Sequence, residues 1–205
     1  MIQAIETEYN GNKYRSRLEA RWAVFFDSLN IEYTYEPEGF DLQEAGRYLP
    51  DFFIQYHEDY NDKIGGHWIE IKPIAPDIQE IKKMAALSKE SKFSGNILIG
   101  KPGRHNIVRT FPHAVCTLYH NNREIDYGFE VIKEEMTQAG YEVYRYRFDF
   151  ETKQTPYEIR DICLLLHQFI PASHKEFLFK ACKNANFARF EHGECPNINE
   201  KGDMV

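Results

Sequence analysis

The chain has 205 residues, of which 42% are hydrophobic and 15% are aromatic, and its net charge is −7. This length and composition predict one folded domain, or one domain with an extension, and exclude a low-complexity protein. The negative charge argues against a protein that coats nucleic acid, because such proteins are basic. It does not exclude a nuclease, because an acidic metal cluster itself adds negative charge.

The apolar runs are too short to span a bilayer, and the N-terminus lacks the apolar stretch of a signal peptide. We therefore expect a soluble cytoplasmic protein with no membrane partner. The cysteines form no C-x-x-C pair and fit reduced thiols better than a disulfide framework. His192 and Cys195 resemble half of a zinc site, but no second pair matches them. The four cysteines are Cys116, Cys163, Cys182 and Cys195.

The first predicted helix covers Tyr14 to Asn30, and Asn12 is placed to cap it. Its apolar side chains recur at helical spacing and form one stripe. These side chains are Leu18, Trp22, Phe25 and Leu29. A strand with alternating polarity follows from Ile31 to Glu36.

Glu19 on this helix has two interpretations. It lies one turn after Arg15, and such an i, i+4 surface pair is worth only tenths of a kcal/mol. Alternatively, it is a third acidic group directed at the hairpin that follows, in which case Arg15, Arg17 and Arg21 are candidates for phosphate contacts. The residues taken alone favour the surface pair.

Tyr48 to Pro73 predicts a β-hairpin, because two short apolar runs flank a polar loop. If Tyr56 pairs with His67, then Asp51 lies opposite Lys72. Side chains alternate along a strand, and directly paired residues share a face. In this register one face carries the polar set, Asp51, Glu70 and Lys72, and the other face carries the core set, Phe52, Ile54, Ile69 and Ile71.

The polar set points to a definite chemistry. Two adjacent carboxylates are hard oxygen ligands that suit Mg²⁺ or Mn²⁺. A neighbouring lysine is a point charge suited to a phosphate or to a water that loses its proton. The alternative is an edge hairpin that carries ordinary surface charges, and the pattern alone does not separate the two.

Pro76 to Ser91 predicts a helix and Asn96 to Gly100 a buried strand, which together with the preceding strand make a βαβ unit. The rest of the chain carries weaker signals. We predict one or two strands over Ile107–Tyr119 with a turn near Pro112, a helix over Gly128–Ala139, a strand over Tyr141–Phe150, helices over Pro156–Phe169 and Ser173–Phe190, and a disordered tail from Pro196 to Val205.

The stretch KNANFARFEHG combines basic and aromatic side chains. Its Lys183 and Arg189 are candidates for contact with a DNA backbone, and its phenylalanines are candidates for stacking on an unpaired base. A helix end with a solvated charged side explains the same residues, and we favour that simpler interpretation.

The order of the elements, with P-D in YLPDFFI, E-x-K in WIEIKP and a glutamate on the first helix, resembles the PD-(D/E)XK nuclease superfamily. The stretch SRLEARWAVFFDSLNIEYTYEPEGF with these two motifs looks like small phage-type members, and also like the endonuclease subunit of Tn7-type transposases. The resemblance covers about residues 14–101.

This resemblance implies an α/β fold, with a restriction-endonuclease-like αβββαβ core in which helices flank a mixed central sheet. The core would span residues 1–102. Beyond it the resemblance gives no support, and from the sequence of the second half we predict an α+β extension packed on the core over residues 103–195 and a disordered tail over residues 196–205.

The resemblance also implies the site. In this superfamily the Asp of P-D and the Glu of E-x-K bind a divalent metal, here Asp51 and Glu70. The lysine, Lys72, positions or activates the attacking water. The helix glutamate, Glu19, often completes the metal shell, and the main-chain carbonyl of Ile71 is a further expected ligand.

We therefore expect a DNA endonuclease that depends on Mg²⁺ or Mn²⁺ and hydrolyses phosphodiester bonds. The superfamily often works as dimers, so a homodimer is an expected partner state, and the host-cell cytoplasm is the expected location if the chain is phage-encoded. The alternative is a catalytically quiet DNA-binding or interaction subunit of a recombination, packaging or anti-defence assembly. The negative net charge motivates this alternative.

Overall fold

The structure is a computed structural model that describes residues 4–58, 63–119, 123–147, 175–190 and 194–204. The helices of this part of the chain are α1 (Arg17–Ser28), α2 (Ile78–Ser91), α3 (Arg123–Gln138) and α4 (Lys175–Phe187). The strands are β1 (Thr7–Tyr9), β2 (Asn12–Tyr14), β3 (Thr34–Tyr35), β4 (Phe40–Asp41), β5 (Arg47–Tyr48), β6 (Phe52–Glu58), β7 (Lys63–Lys72), β8 (Ser94–Lys101), β9 (Arg104–Thr110), β10 (Ala114–Tyr119) and β11 (Glu142–Arg147).

Seven of these strands form one mixed sheet in the order β11-β10-β9-β8-β7-β6-β3. The pairs β7–β8 and β10–β11 are parallel, and α2 and α3 lie between their strands in the chain. The pairs β3–β6, β6–β7 and β9–β10 are antiparallel. The chain is therefore mixed α/β with a mixed central sheet, as the sequence predicts.

The contacts divide the chain into two compact units. The sheet unit comprises Tyr33–Ile99 and Asn106–Lys153, and the helical unit comprises Met1–Glu32, Gly100–His105 and Gln154–Val205. The predicted boundary between residues 102 and 103 falls in the turn between β8 and β9, which are neighbouring strands of one sheet. Residues 106–153 thus group with residues 33–99, because β9, β10 and β11 extend the sheet beyond β8.

The hairpin of β6 and β7 forms where the sequence predicts it, but in a different register. Tyr56 pairs with Gly65, so the predicted pair of Tyr56 with His67 is wrong by two residues. Gly65 lies inside β7 and not in the turn, and only glycine fits there, because a Cβ at this position would be 2.2 Å from Cζ of the Tyr56 ring. In the same way Gly66 makes room for the Phe53 ring, with a built Cβ 2.6 Å from its Cζ atom.

The slip by two residues preserves the predicted faces, because side chains alternate with a period of two. The predicted core set, Phe52, Ile54, Ile69 and Ile71, is buried. The opposite face is also covered. There Trp68 stacks on Phe53 at a ring-centroid distance of 4.2 Å and packs with Ile81 and Met84 of α2.

Helix α2 begins at a capping box. The Asp77 carboxylate accepts a hydrogen bond from the backbone N–H of Glu80, and the Glu80 carboxylate accepts one from the backbone N–H of Asp77. Two of the unpaired donors at the helix N-terminus are satisfied in this way. The buried side of α2 joins the main core of the sheet unit through Ile81, Met84, Ala85 and Leu87.

In the helical unit, the N-cap of α1 is Ser16 and not Asn12, which lies in β2. The Ser16 hydroxyl accepts a hydrogen bond from the backbone N–H of Glu19, the usual N-cap contact. The buried side of α1 includes Trp22, whose indole N–H donates to the Gly100 carbonyl oxygen at 3.0 Å. Phe25 and Phe26 complete this aromatic cluster.

The C-terminal segment differs from the predicted disordered tail. Asn184 of α4 is buried and donates from its side-chain amide to Ser28 Oγ and to the Gly202 carbonyl oxygen, at 3.1 and 2.9 Å. Asp203 pairs with Lys180, and Ile198 forms a β-bridge with Met204. Polar side chains of α4 thus hold residues 198–204, a long-range interaction that composition does not reveal.

The elements predicted for the second half are present where the structure describes them, although α3 begins at Arg123 and not at the predicted Gly128. Strands β9 and β10 meet at a turn beside Pro112, α3 ends just before Gly140, and β11 lies within the predicted strand. Helix α4 lies within the helix predicted from Ser173. The helix predicted over Pro156–Phe169 lies outside the described residues.

Candidate metal and phosphate site at the hairpin end

Asp51 lies at the start of β6 and is fixed against β7. Its side chain is 2% exposed, and Oδ2 accepts a hydrogen bond from the backbone N–H of Ile71 at 2.6 Å. Its own carbonyl oxygen accepts one from the backbone N–H of Glu36 at 2.8 Å. Asp51 is therefore hydrogen-bonded to two neighbouring segments, through its carboxylate and through its carbonyl oxygen. These two bonds restrict the movement of its side chain.

The observed register changes the partner of Asp51. Because Phe52 pairs with Ile69, continuing the ladder by one residue places Asp51 opposite Glu70, where the sequence had placed Lys72. Directly opposed residues share a face, and their Cβ atoms are about 4.5–5.5 Å apart. In this extended register the two carboxylates lie across the ladder from each other.

Glu70 is 7% exposed and accepts hydrogen bonds on both carboxylate oxygens. Tyr48 at the end of β5 donates to Oε2 at 3.1 Å, and the Lys72 ammonium lies 3.0 Å from Oε1. Burial raises the pKa of Tyr48 well above its usual range, and the negative charges of Glu70 and Asp51 raise it further. Tyr48 therefore remains a protonated donor that orients Glu70.

Lys72 lies between two acids. Its ammonium is 2.6 Å from Glu80 Oε1 as well as 3.0 Å from Glu70 Oε1. Burial lowers the pKa of Lys72, but the charges and hydrogen bonds of Glu70 and Glu80 outweigh this effect, so the pKa is raised overall. Lys72 is thus a cation at neutral pH, suited to hold an anion or orient a water rather than to accept a proton.

The donor set fits a hard divalent cation. Asp51 and Glu70 supply carboxylate oxygens at the hairpin end, and the Lys72 ammonium contacts two carboxylates, those of Glu70 and Glu80, so the site carries more negative than positive charge, which a divalent cation would offset. Within the described ranges, no group of three or more His, Cys, Asp or Glu is arranged to hold a metal ion. Asp51 and Glu70 alone would therefore leave most of a metal's coordination positions to water, substrate and main-chain oxygens.

Glu19 belongs to the helical unit, whereas the other three predicted site residues belong to the sheet unit. Its Oε1 accepts a hydrogen bond from Ser16 Oγ at 2.7 Å, and Oε2 accepts one from the backbone N–H of Arg15 at 3.1 Å. Glu19 thus closes the N-terminus of α1 through the backbone of Arg15. Its place in a metal shell stays a prediction, as does that of the Ile71 carbonyl.

All five predicted phosphate-binding cations belong to the helical unit. Around the start of α1 Arg15 is exposed, while Arg17 and Arg21 are half-buried. In and after α4, Lys183 and Arg189 are exposed. Their contact with a nucleic acid stays a prediction.

Two members of the site, Tyr48 and Glu80, are not predicted from the sequence. Glu80 leaves a partial signal, because D-x-x-E before an apolar stretch is the pattern of a capping box, yet the pattern does not name Lys72 as its partner. Tyr48 leaves none, because its contact with Glu70 joins residues 22 apart and depends on the small β4–β5 sheet.

No protein-family model, no curated protein and no solved structure matches this chain. The likeness to PD-(D/E)XK nucleases therefore rests on the motifs of the chain itself. Among the described residues, no helix is long and apolar enough to cross a membrane.

Proposed function

We propose that the chain is a DNA endonuclease that hydrolyses phosphodiester bonds with Mg²⁺ or Mn²⁺. The observation that carries this proposal is the arrangement at the hairpin end, where the Asp51 carboxylate accepts the N–H of Ile71, the residue between Glu70 and Lys72, and the Lys72 ammonium lies 3.0 Å from Glu70 Oε1. Asp51 belongs to the P-D motif, and Glu70 and Lys72 belong to the E-x-K motif on the paired strand. An edge hairpin with ordinary surface charges does not explain why Asp51 and Glu70 are buried.

In this proposal Asp51 and Glu70 hold the metal, and the Ile71 carbonyl is a further predicted ligand from the resemblance. The bound ion would supply positive charge to the scissile phosphate and lower the pKa of a coordinated water. Lys72 would orient the attacking water by hydrogen bonding and offset the negative charge that develops on the phosphate. Tyr48 would keep the Glu70 carboxylate aligned.

The decisive test is a cleavage assay on linear, circular and branched DNA with Mg²⁺ or Mn²⁺. We expect cleavage that stops in EDTA and falls at least about 100-fold in Asp51→Asn and Lys72→Met. Lys89→Met, on an exposed position of α2, is the matched control and should cleave like the wild type. Cleavage that persists in EDTA or in Asp51→Asn contradicts the proposal.

A catalytically quiet DNA-binding or interaction subunit is the second candidate, and the net charge of −7 favours it, because a basic footprint is not evident in the composition. Titration of Mn²⁺ by calorimetry separates the two. The nuclease should bind Mn²⁺ at a site that disappears in Asp51→Asn, whereas the quiet subunit should show no such site.

A further inference from the structure

The Lys72 ammonium makes its shorter contact with Glu80 and not with Glu70. The distances from Nζ are 2.6 Å to Glu80 Oε1 and 3.0 Å to Glu70 Oε1. The Lys72 side chain is 25% exposed, and that of Glu80 is 35% exposed, so water screens this pair only in part. Glu80 thus competes with Glu70 for the same cation.

Glu80 is held firmly for this contact. Its Oε2 accepts the backbone N–H of Asp77 at 2.9 Å, and its own backbone N–H donates to Asp77 Oδ1 at 2.8 Å. One oxygen of the carboxylate therefore closes the N-terminus of α2, and the other faces Lys72. A side chain anchored at both the backbone and the carboxylate loses little further freedom when it binds an ammonium.

A metal that binds Glu70 must displace part of the Lys72 contact, because both cations use the same carboxylate and repel each other. If Lys72 had no other partner, it would either compete with the metal or turn into solvent. Glu80 offers the alternative partner, in a position fixed by α2.

We infer that Glu80 is a positioning residue that draws the Lys72 ammonium away from Glu70 and keeps it beside the metal site. This inference rests on the proposed function and extends it to a residue outside the P-D and E-x-K motifs. It assigns Glu80 two effects, both exerted through Lys72: stronger binding of the metal at Glu70, and a Lys72 that stays in place when the metal is bound.

The variant Glu80→Gln separates positioning from folding. Glutamine at this position still closes a capping box, since its single amide oxygen can accept the Asp77 N–H. Its amide NH₂ group would then face Lys72, and a donor cannot hold an ammonium. Glu90→Gln, an exposed position of the same helix, removes the same charge and is the matched control.

We expect Glu80→Gln to weaken Mn²⁺ binding by about 10-fold and to lower kcat at saturating Mn²⁺ by about 10- to 100-fold. Its KM for DNA should match that of Glu90→Gln, and cooperative urea unfolding should show that it is folded. The effect on Mn²⁺ affinity, measured by calorimetry, should vanish in a Lys72→Met background, because Glu80 acts through the ammonium.

Two results overturn the inference: Mn²⁺ affinity and kcat that equal those of Glu90→Gln, or the same loss of Mn²⁺ affinity in the Lys72→Met background. The second would mean that Glu80 acts on the metal through its charge alone. Failure of the proposed function is recognised separately, because the wild type would then bind no Mn²⁺ or would bind it equally well in Asp51→Asn.

Discussion

Asp51 combines a structural role with its proposed chemical one. Its carboxylate is the acceptor for the buried Ile71 N–H, which Asp51→Ala would leave unsatisfied, at a cost of about 1–3 kcal/mol in the free energy of unfolding. Asp51→Asn keeps a side-chain oxygen for this bond. We predict that Asp51→Ala is less stable than Asp51→Asn by about that amount in urea unfolding.

Both variants remove the same negative charge next to Glu70, so any relief of repulsion between the carboxylates cancels in the comparison. Equal stability of Asp51→Ala and Asp51→Asn would contradict the structural role. If the difference is found, Asp51→Asn is the variant in which a loss of cleavage reports chemistry and not unfolding.

The second prediction at the scale of a residue concerns Tyr9 in β1 and the dependence of stability on pH. It is 3% exposed, and burial, followed by a hydrogen bond with Asp27, raises its pKa far above the usual value of 10.0. The unfolded chain therefore loses the Tyr9 proton near pH 10, while the folded chain keeps it. The contribution of protonated Tyr9 to the free energy of unfolding is complete below pH 10 and is lost as the pH rises above it.

We predict that the wild type loses about 1.4 kcal/mol of unfolding free energy per pH unit above pH 10 relative to Tyr9→Phe. The measurement is urea unfolding of both proteins between pH 8 and pH 11. The other tyrosines contribute equally to both and cancel. Parallel pH profiles would show that Tyr9 titrates normally in the folded protein.

The hairpin of β6 and β7 shows which properties of an element the sequence determines. The alternation of apolar and polar residues placed Phe52 and Ile69 in the core and Asp51 and Glu70 on the other face, and a slip by two residues leaves that division unchanged. The exact pairing depends on whether Gly65 lies in the turn or in the strand. In the observed register the Tyr56 ring lies over Gly65, where a side chain would collide with it, and the alternation of polarity does not contain this cross-strand contact.

The residues that contact Glu70 and Lys72 are likewise not all determined by local sequence. Lys72 and Glu70 are two residues apart on one strand, so their shared face follows from the sequence. Tyr48 and Glu80 reach them from β5 and α2, and only the folded sheet unit brings those elements together. The second half of the sheet was likewise predicted as separate strands, because the sequence shows each strand but not that β9 continues beside β8.

The C-terminal segment gives a prediction at the scale of an element. Gly202 has a φ of +71°, and a Cβ built on it lies 2.3 Å from the Ser28 carbonyl oxygen, a backbone atom that cannot turn away. We predict that Gly202→Ala lowers the unfolding free energy by more than the roughly 1–2 kcal/mol cost of the left-handed conformation alone.

Gly11→Ala is the control, since Gly11 has a φ of +77° in the same unit and no atom within 4 Å of its built Cβ. Both variants carry the backbone strain of a positive φ, but only Gly202→Ala collides with the Ser28 carbonyl oxygen. The difference between their unfolding free energies in urea therefore measures that collision. If residues 196–205 were disordered, as their composition suggests, Gly202→Ala would leave stability unchanged and Gly11→Ala would be the more damaging of the two.

At the scale of the whole molecule, the acidic residues of the proposed metal site and the basic residues predicted to contact DNA phosphates belong to different units. We call these basic residues the phosphate footprint. Asp51, Glu70 and Lys72 lie in the sheet unit, and the five predicted phosphate contacts lie in the helical unit. A chain with a net charge of −7 needs such a local footprint if it binds DNA, because its overall field repels phosphate. The salt dependence of DNA binding measures that footprint directly.

Each phosphate contact contributes about 0.9 to the slope of log K against log salt on duplex DNA. We predict that changing Lys183 and Arg189 together to glutamine lowers the slope by about 1.8 and weakens binding to all sequences alike. Fluorescence anisotropy in the Asp51→Asn background, where the DNA should stay uncut, gives the slope. The pair Lys89→Gln and Lys92→Gln removes two exposed cations from the sheet unit and should leave the slope unchanged. Equal losses from both pairs would mean that net charge, and not a footprint in and after α4, sets the affinity.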